Sequence, residues 1–147
     1  MIYIFDIDGT IADISHRLHY IESNPADWRA FYAACGDDKP IVEVIQIAKA
    51  LQVNHSIHLI TGRSEEIRVG TARWVNEQRI FFSELMMRKV GDHRQDSVVK
   101  SELLDELLAQ TGRPMSSIAG VFEDRKQVVD MWRGRGLRVF QVADGDF

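Results

Sequence analysis

The side chains best suited to chemistry lie near the start of the chain, where an apolar run from Ile2 ends in two carboxylates, Asp6 and Asp8. Continuous apolar runs are typical of strands in a parallel sheet, and ligands bind at the carboxyl ends of such strands. Because side chains alternate along a strand, Asp6 and Asp8 share a side, where their charges repel unless a cation lies between them. Gly9 allows a sharp turn that leaves room for a ligand. The alternative is an ordinary acidic turn after an edge strand.

Later segments place further reactive side chains at the ends of predicted elements. Thr61 ends a predicted strand, where its hydroxyl and the N–H groups of a following helix form an anion site. Lys100 lies in the first turn of a predicted helix, where the dipole disfavours a cation unless an anion is near. Glu123 and Asp124 end another strand. Phosphoryl transfer needs such positive charge, a carboxylate nucleophile and oxygen ligands for Mg²⁺. The residues that the pattern itself assigns to Mg²⁺ are Asp6, Asp8 and Asp124.

The hydrophobic pattern alternates between strands and helices along the chain. Helices are predicted to begin at Pro40, after Ser64 and near Ser97, and the last of these ends at Gly112. The other predicted strands, with a helix ending at Gly134 between the last two, are Ser56–Ile60, Glu84–Met87, Ser117–Phe122 and Leu137–Val142. This alternation predicts an α/β fold with a doubly wound, Rossmann-like, mostly parallel sheet and helices on both faces. The first strand is central.

Composition limits the possible classes. The 147 residues, 45% of them apolar, predict one domain with its own core. A net charge of −4 argues against a protein that coats nucleic acid by its overall charge. Cys35 is the only cysteine, which excludes a disulfide framework and a cysteine-based metal site. The sequence has no long apolar run and no basic leader, which predicts a soluble, cytoplasmic protein with no membrane partner.

The segment 12–38 is predicted to be a small helical insertion after the first strand, placed to cover the carboxylates as a cap. Its polar and aromatic side chains then either face the substrate or serve as ordinary surface and packing residues. These side chains are His16, Arg17, His19 and Tyr20.

The pattern Asp6-x-Asp8-Gly9-Thr10 after an N-terminal strand resembles the first motif of the haloacid dehalogenase (HAD) phosphotransferase superfamily. Thr61, Lys100 and the pair Glu123-Asp124 match its other three motifs in order. The resemblance implies a HAD-type fold in which Asp6 is the nucleophile and Asp8 the general acid and base, with its backbone carbonyl on the metal. It also implies a phosphate contact for Thr61, a charge-neutralising role for Lys100, and Mg²⁺ ligands in Asp6, Asp8, Glu123 and Asp124. An Asp at position 8 favours phosphoester hydrolysis over dehalogenation.

A narrower resemblance, to the phosphatase domain of phage polynucleotide kinase/3′-phosphatases, covers essentially the whole chain. It rests on Met87-Arg88, Asp92, Arg94, Asp96, Val98-Val99-Lys100, Glu123-Asp124-Arg125, the run from Gln127 to Arg133, and the tail from Gln141 to Phe147. It implies one phosphatase domain over residues 1–147 and a 3′-phosphorylated nucleic-acid end or nucleotide as substrate. No phosphate-binding loop of a kinase is found, so no 5′-kinase activity is expected. Position 123 is Glu where those phosphatases have Asp.

Arginine forks match phosphate geometry, which makes Arg63, Arg88 and Arg94 the predicted substrate ligands, together with Thr61 and Gly62. The alternative for Arg88 and Arg94 is a structural ion network with Asp92 and Asp96.

Two other functions remain open at this point. One is a small-molecule HAD phosphatase such as a nucleotidase, because a closed cap admits small substrates whereas an open one admits strand ends. The shortness of segment 12–38 favours an open cap. The other is a non-catalytic Mg²⁺- or nucleic-acid-end-binding module that partners a separate kinase or ligase. The intact Asp6, Asp8 and Lys100 argue against it. The sequence predicts no oligomeric state.

Overall fold

The computed structural model describes residues 1–145, so Asp146 and Phe147, the end of the tail resemblance, lie outside the described residues. The strands are Ile2–Phe5 (β1), Ala12–Asp13 (β2), Lys39–Pro40 (β3), Ser56–Ser64 (β4), Phe82–Arg88 (β5), Ile118–Arg125 (β6) and Val139–Gly145 (β7). The α-helices are His19–Glu22 (α1), Trp28–Ala33 (α2), Val42–Leu51 (α3), Arg68–Glu77 (α4), Asp96–Thr111 (α5) and Lys126–Gly134 (α6). None of the helices within residues 1–145 has the length and apolar character needed to cross a membrane.

Within residues 1–145, five strands form one sheet in the order β5-β4-β1-β6-β7, and every neighbouring pair is parallel. β1 is therefore central, and the predicted doubly wound α/β class is confirmed. Phe5 at the end of β1 lies opposite Leu59 in β4 and Phe122 in β6. This register brings Asp6 close to the residues that follow those two partners.

Apolar side chains cover both faces of this sheet. Successive residues of β1 point to opposite faces, so Ile4 and Phe5 belong to different core clusters. α3 and α4 pack with Phe5 through Val44, Ile45, Ala48, Trp74 and Val75. α5 and α6 pack with Ile4 through Val99, Leu103, Leu104, Leu107, Val128 and Trp132. The helices on both faces hold the ends of the central strands in fixed positions.

The segment between β1 and α3 begins and ends at the short antiparallel pair β2–β3, in which Ala12 lies opposite Pro40. The predicted helix start at Pro40 is therefore wrong. Pro40 pairs as a strand residue, which an edge position tolerates because proline lacks only the N–H donor, and α3 begins at Val42. α1 and α2 lie between the two short strands, so the segment leaves the sheet and returns to it at one place beside the carboxyl end of β1.

Strands β4 and β6, which carry predicted site residues, extend further toward their carboxyl ends than the sequence predicted. β4 continues to Ser64 and is followed by a 3₁₀ turn, Glu65–Ile67, so no helix begins directly after Thr61. Ser64 caps that turn by accepting a hydrogen bond from the N–H of Glu66. β6 likewise continues to Arg125, so Glu123 and Asp124 are strand residues and do not lie in a loop after the strand. Both extensions follow from pairing with the neighbouring strands β5 and β7.

Candidate active site

The carboxyl edge of the sheet brings together side chains from β1, β6 and α5 that are far apart in sequence. At this edge, Asp6, Asp8 and Lys100 line a cleft of about 790 Å³. The cleft lining also includes residues of α2 and of the segment 91–96 before α5. The volume of the cleft is within the usual range for small-ligand pockets.

Lys100 is fully buried, and its Nζ contacts three carboxylates: Asp6 Oδ1 at 2.9 Å, Glu123 Oε2 at 2.9 Å and Asp96 Oδ2 at 3.3 Å. Burial alone would lower the pKa of Lys100, but these carboxylates raise it well above its ordinary value. The ammonium is thus charged, and the anions explain how a cation is tolerated in the first turn of α5.

Asp6, Glu123 and Asp124 form a cluster of buried carboxylates that could hold a metal ion, with one oxygen of each within 4.8 Å of the others. Burial and the charge of Glu123 raise the pKa of Asp6 well above its ordinary value, although Lys100 opposes this. Burial and the charge of Asp6 raise the pKa of Asp124 to about 6. A divalent cation relieves this repulsion, so the donor set fits an ion that takes carboxylate oxygens.

Glu123 divides its two oxygens between different partners. Oε2 accepts from Lys100, and Oε1 accepts weak hydrogen bonds from the N–H groups of Asp124 and Arg125, both at 3.3 Å. The extra methylene relative to Asp lets this side chain fold back toward its own backbone while its carboxylate stays in the cluster.

The turn after β1 supports Asp124. Gly9 has φ of 81°, and a Cβ there would overlap the carboxylate of Asp124. Thr10 is fully buried, and its Oγ1 donates to Asp124 Oδ1 at 3.1 Å. The sequence did not assign Thr10 a role beyond its motif, and the structure makes it a positioning residue for a predicted metal ligand.

Asp8 belongs to a different group, because its Oδ1 accepts from Arg17 Nη2 and from Arg63 Nε, each at 2.8 Å. Burial would raise the pKa of Asp8, but the two guanidinium groups lower it below its ordinary value. The side chain of Asp8 lies outside the cluster of candidate metal ligands, and its predicted metal contact through the backbone carbonyl stays a prediction.

Asp38 ties these two arginines together, and no pattern in the sequence indicated this role. Its Oδ1 accepts from Arg17 Nε, and its Oδ2 accepts from Arg17 Nη2 and Arg63 Nη2, all at 2.7 Å. Its backbone carbonyl accepts from Trp74 Nε1. Asp38 lies just before β3, so this network ties the end of the insertion to Asp8, three residues after the end of β1.

The structure gives two of the predicted phosphate ligands other partners. Arg63 is buried, paired with Asp8 and Asp38, and is not part of the cleft wall. Thr61 is also buried, and its Oγ1 accepts the N–H of Arg63. Gly62, by contrast, lines the cleft.

Arg88 and Arg94 border the cleft but form the ion network left open as an alternative. Arg88 Nη2 pairs with Asp96 Oδ1 at 2.9 Å, and its Nε donates to the carbonyl of Gly62. Arg94 pairs with Asp92 and Glu102. Asp96, which the sequence predicted only as an ion-pair partner of these arginines, also contacts Lys100. It therefore links the arginine ion pairs to the carboxylate cluster.

The family model described as the polynucleotide kinase PNKP phosphatase domain matches residues 1–147. The chain belongs to this family. Two solved structures of the Pnkp1/Rnl/Hen1 complex contain chains similar to it, at 29% and 28% identity with TM-scores of 0.79 and 0.80. Each match covers 99% of this chain but 46% and 43% of the other. This PNKP phosphatase-family chain therefore spans less than half the length of those relatives.

The wider HAD fold is also shown. A haloacid dehalogenase-like hydrolase from Streptococcus pneumoniae, at 13% identity, matches with a TM-score of 0.71 over 95% of this chain and 83% of the other. A putative β-phosphoglucomutase from Thermotoga maritima, also at 13% identity, matches with a TM-score of 0.61 over 95% of this chain and 84% of the other. The resemblance to HAD phosphatases and to polynucleotide kinase phosphatase domains is thus confirmed, and the protein is a HAD-family phosphatase domain related to PNKP.

Proposed function

We propose that this PNKP-family phosphatase removes the 3′-phosphate from polynucleotide ends with the help of Mg²⁺. The observation that carries the proposal is the position of Asp6, a buried carboxylate on the cleft that contacts Lys100 and shares a cluster with Glu123 and Asp124. A nucleophile in this position meets the substrate phosphate beside both a cation and the proposed metal site.

Mg²⁺ would be held by Asp6, Glu123 and Asp124, and by the backbone carbonyl of Asp8. When bound, the ion supplies positive charge that neutralises the phosphate oxygens and keeps Asp6 ionised. Lys100 adds a second charge that stays in place whether or not the ion is bound, because three carboxylates hold it.

The chain's own residues would act in two steps. Asp6 attacks phosphorus, the bond from phosphorus to the 3′-oxygen breaks, and Asp8 gives its proton to that oxygen. Asp8 then takes a proton from water, which attacks the phosphoryl group on Asp6 and releases inorganic phosphate. Arg17 and Arg63 favour the ionised form of Asp8, which suits the second step, whereas a phosphate dianion beside Asp8 raises its pKa for the first.

The substrate and partner proposals rest on the relatives. Membership in the PNKP phosphatase family supports a 3′-phosphorylated end. One of the similar chains comes from a structure described as an RNA repair complex, which supports a separate kinase or ligase as a partner. In this proposal, residues 1–147 act as one phosphatase unit with segment 12–38 as its cap.

A nucleotidase is the second candidate, and the cleft is what favours it. Its volume of about 790 Å³, with α2 on one wall, also suits a single mononucleotide. The two candidates share the mechanism and differ only in substrate.

The test is phosphate release, with Mg²⁺ and with EDTA, from a 3′-phosphorylated oligonucleotide, its 5′-phosphorylated isomer, and 3′- and 5′-mononucleotides. We expect Mg²⁺-dependent release that is fastest from the 3′-phosphorylated oligonucleotide. Faster release from mononucleotides would make the protein a nucleotidase and would leave the proposed mechanism unchanged. Release that is equally fast in EDTA would contradict the role of Mg²⁺.

Binding of Mg²⁺ should stabilise the fold more at about pH 7.5 than at about pH 5.5. The raised pKa values of Asp6 and Asp124 mean that protonation of these carboxylates stabilises the metal-free fold in acid. For Asp124 this stability is lost as pH rises through about 6. At higher pH the ion replaces the protons. Melting temperatures with and without Mg²⁺ measure this difference, and the titration of buried His58 cancels because it is common to both arms.

The control for this prediction is Asp124→Asn, which removes one charge from the cluster and should show a much smaller Mg²⁺-induced shift at about pH 7.5. A Mg²⁺-induced change in melting temperature that does not depend on pH in the wild type would show that Mg²⁺ binds elsewhere. A change that is as large in Asp124→Asn as in the wild type would show the same.

A further inference from the structure

The cap helix α2 turns an exposed tryptophan toward the catalytic cleft. Trp28 is 51% exposed, yet it lines the same cleft as Asp6 and Lys100. The helix itself is anchored by Phe31, which is buried and lies under the guanidinium of Arg17, 4.2 Å from the ring centroid. Trp28 contacts Phe31 edge-on, with the ring centroids 5.7 Å apart, and still leaves about half of its own surface exposed.

Tyr32 continues this aromatic wall inward. Its ring centroid lies 6.1 Å from that of Trp28, with an angle of 34° between the planes, and it also lines the cleft. Burial raises the pKa of the Tyr32 hydroxyl. The charge of Arg88 lowers this pKa, and the charges of Asp8 and Asp96 raise it. The wall therefore runs from the rim at Trp28 to the charged floor of the site.

Arg29, the next residue along α2, is exposed and lines the cleft beside Trp28. Within residues 1–145 it makes no ion pair, whereas Arg88 and Arg94, which also line the cleft, are paired with carboxylates. The rim of the cap thus presents an aromatic face and a cation that is available to an anion.

We propose that Trp28 is the stacking platform for the nucleobase of the 3′-terminal nucleotide and that Arg29 neutralises the phosphate linking it to the next nucleotide. The inference rests on the proposed function, because the terminal phosphate must lie at Asp6 for the base to reach Trp28. The cleft is larger than a phosphoryl group needs, and residues of α2 form part of its lining. Stacking on an aromatic ring accepts any base, since every base has a π face, which suits an enzyme that repairs ends of any sequence.

The test compares two 3′-phosphorylated oligonucleotides that differ only in whether the terminal nucleotide carries a base. Trp28→Ala is expected to raise KM for the base-bearing substrate by about tenfold and to leave kcat within about twofold. KM for the abasic substrate should be unchanged, which also shows that the variant has an intact site. Trp28→Phe keeps an aromatic face and should retain most of the wild-type difference in KM between the base-bearing and the abasic substrate.

Two controls separate stacking from other effects. Phe81→Ala removes an aromatic ring that is even more exposed than Trp28 but lies outside the cleft, and it should change KM for neither oligonucleotide. Arg29→Gln should raise KM for the oligonucleotide but not for a 3′-mononucleotide, which lacks the second phosphate.

A direct readout is indole fluorescence in the Asp6→Asn variant. Trp74 and Trp132 are buried, so a change on adding the 3′-phosphorylated oligonucleotide reports on Trp28 and should disappear in the Trp28→Phe double variant.

An equal rise in KM for both oligonucleotides, or no rise in either, would overturn the stacking proposal. Failure of the wild type to release phosphate from either oligonucleotide would instead contradict the proposed function, and the stacking proposal with it.

Discussion

Replacing the proposed nucleophile by its amide, Asp6→Asn, is expected to lower kcat for the 3′-phosphorylated oligonucleotide by about 10⁴-fold or more. An amide oxygen is a poor nucleophile and cannot form the aspartyl-phosphate that the proposed mechanism requires. The measurement is Mg²⁺-dependent phosphate release under saturating substrate.

The same variant should fold at least as stably as the wild type in EDTA. The raised pKa of Asp6 means that the metal-free site favours the neutral form, and Asn supplies that form permanently. Lys100 keeps Glu123 and Asp96 as partners, so no buried cation is left alone. A loss of activity without a loss of melting temperature therefore identifies chemistry as the cause.

Asp130→Asn is the matched control for that substitution, since Asp130 is an exposed acidic residue on α6 that pairs only with Lys126 among the described residues. It should change neither activity nor melting temperature measurably. Substantial turnover by Asp6→Asn would contradict the assignment of Asp6 as the nucleophile. A wild-type protein that binds the oligonucleotide but releases no phosphate would favour a binding module.

The second large effect is expected from Asp38→Asn, a substitution outside the cluster of candidate metal ligands. Asp38 accepts three hydrogen bonds at 2.7 Å from the guanidinium groups of Arg17 and Arg63. An Asn keeps the shape but loses the charge. Among residues 1–145, Asp8 is then the one carboxylate left to pair with the two buried guanidinium groups. We expect a loss of about 3 kcal/mol in the free energy of unfolding.

Activity should fall as well, because Arg17 and Arg63 set the position and the pKa of Asp8. A shift of the carboxylate by a fraction of an ångström lowers kcat by roughly tenfold to a hundredfold. Chemical denaturation gives the stability, and kcat measured well below the melting temperature gives the activity.

Asp37→Asn is the control, because Asp37 is the preceding residue, has the same charge and is exposed. It should leave both quantities unchanged. If Asp38→Asn unfolds no more easily than Asp37→Asn, the network does not stabilise the fold. If it loses stability but keeps full kcat, the network anchors the insertion without positioning Asp8.

The fold class and the main candidate residues could be predicted because they depend on local patterns. The apolar run ending at Phe5 and the alternation of strands and helices predict a parallel sheet with a central first strand, and the register of β1 with β4 and β6 agrees. In such a sheet, strand ends meet at one edge, so Asp6 and Asp124 had to be close. The position of Lys100 in a first helical turn likewise predicted nearby anions, because the helix dipole alone disfavours a cation there.

Errors arose where pairing between distant segments overrode a local signal. Proline at position 40 favours a helix start when only its neighbours are considered, but pairing with Ala12 makes it a strand residue. Pairing with β5 likewise extends β4 beyond Thr61, which moves the following helix away from it.

The partners of each charged side chain were decided only by the tertiary structure. Arg63 has the geometry of a phosphate ligand, yet folding buries it between Asp8 and Asp38, one 55 and the other 25 residues earlier in the chain. Nothing in the residues around Asp38 indicates this contact, because it depends on where the insertion returns to the sheet. The sequence by itself determined which groups reach the carboxyl edge, since strand periodicity is local. Packing decided which of them neutralise one another and which, such as Trp28 and Arg29, face the cleft, because burial and charge pairing depend on segments that meet only in the folded chain.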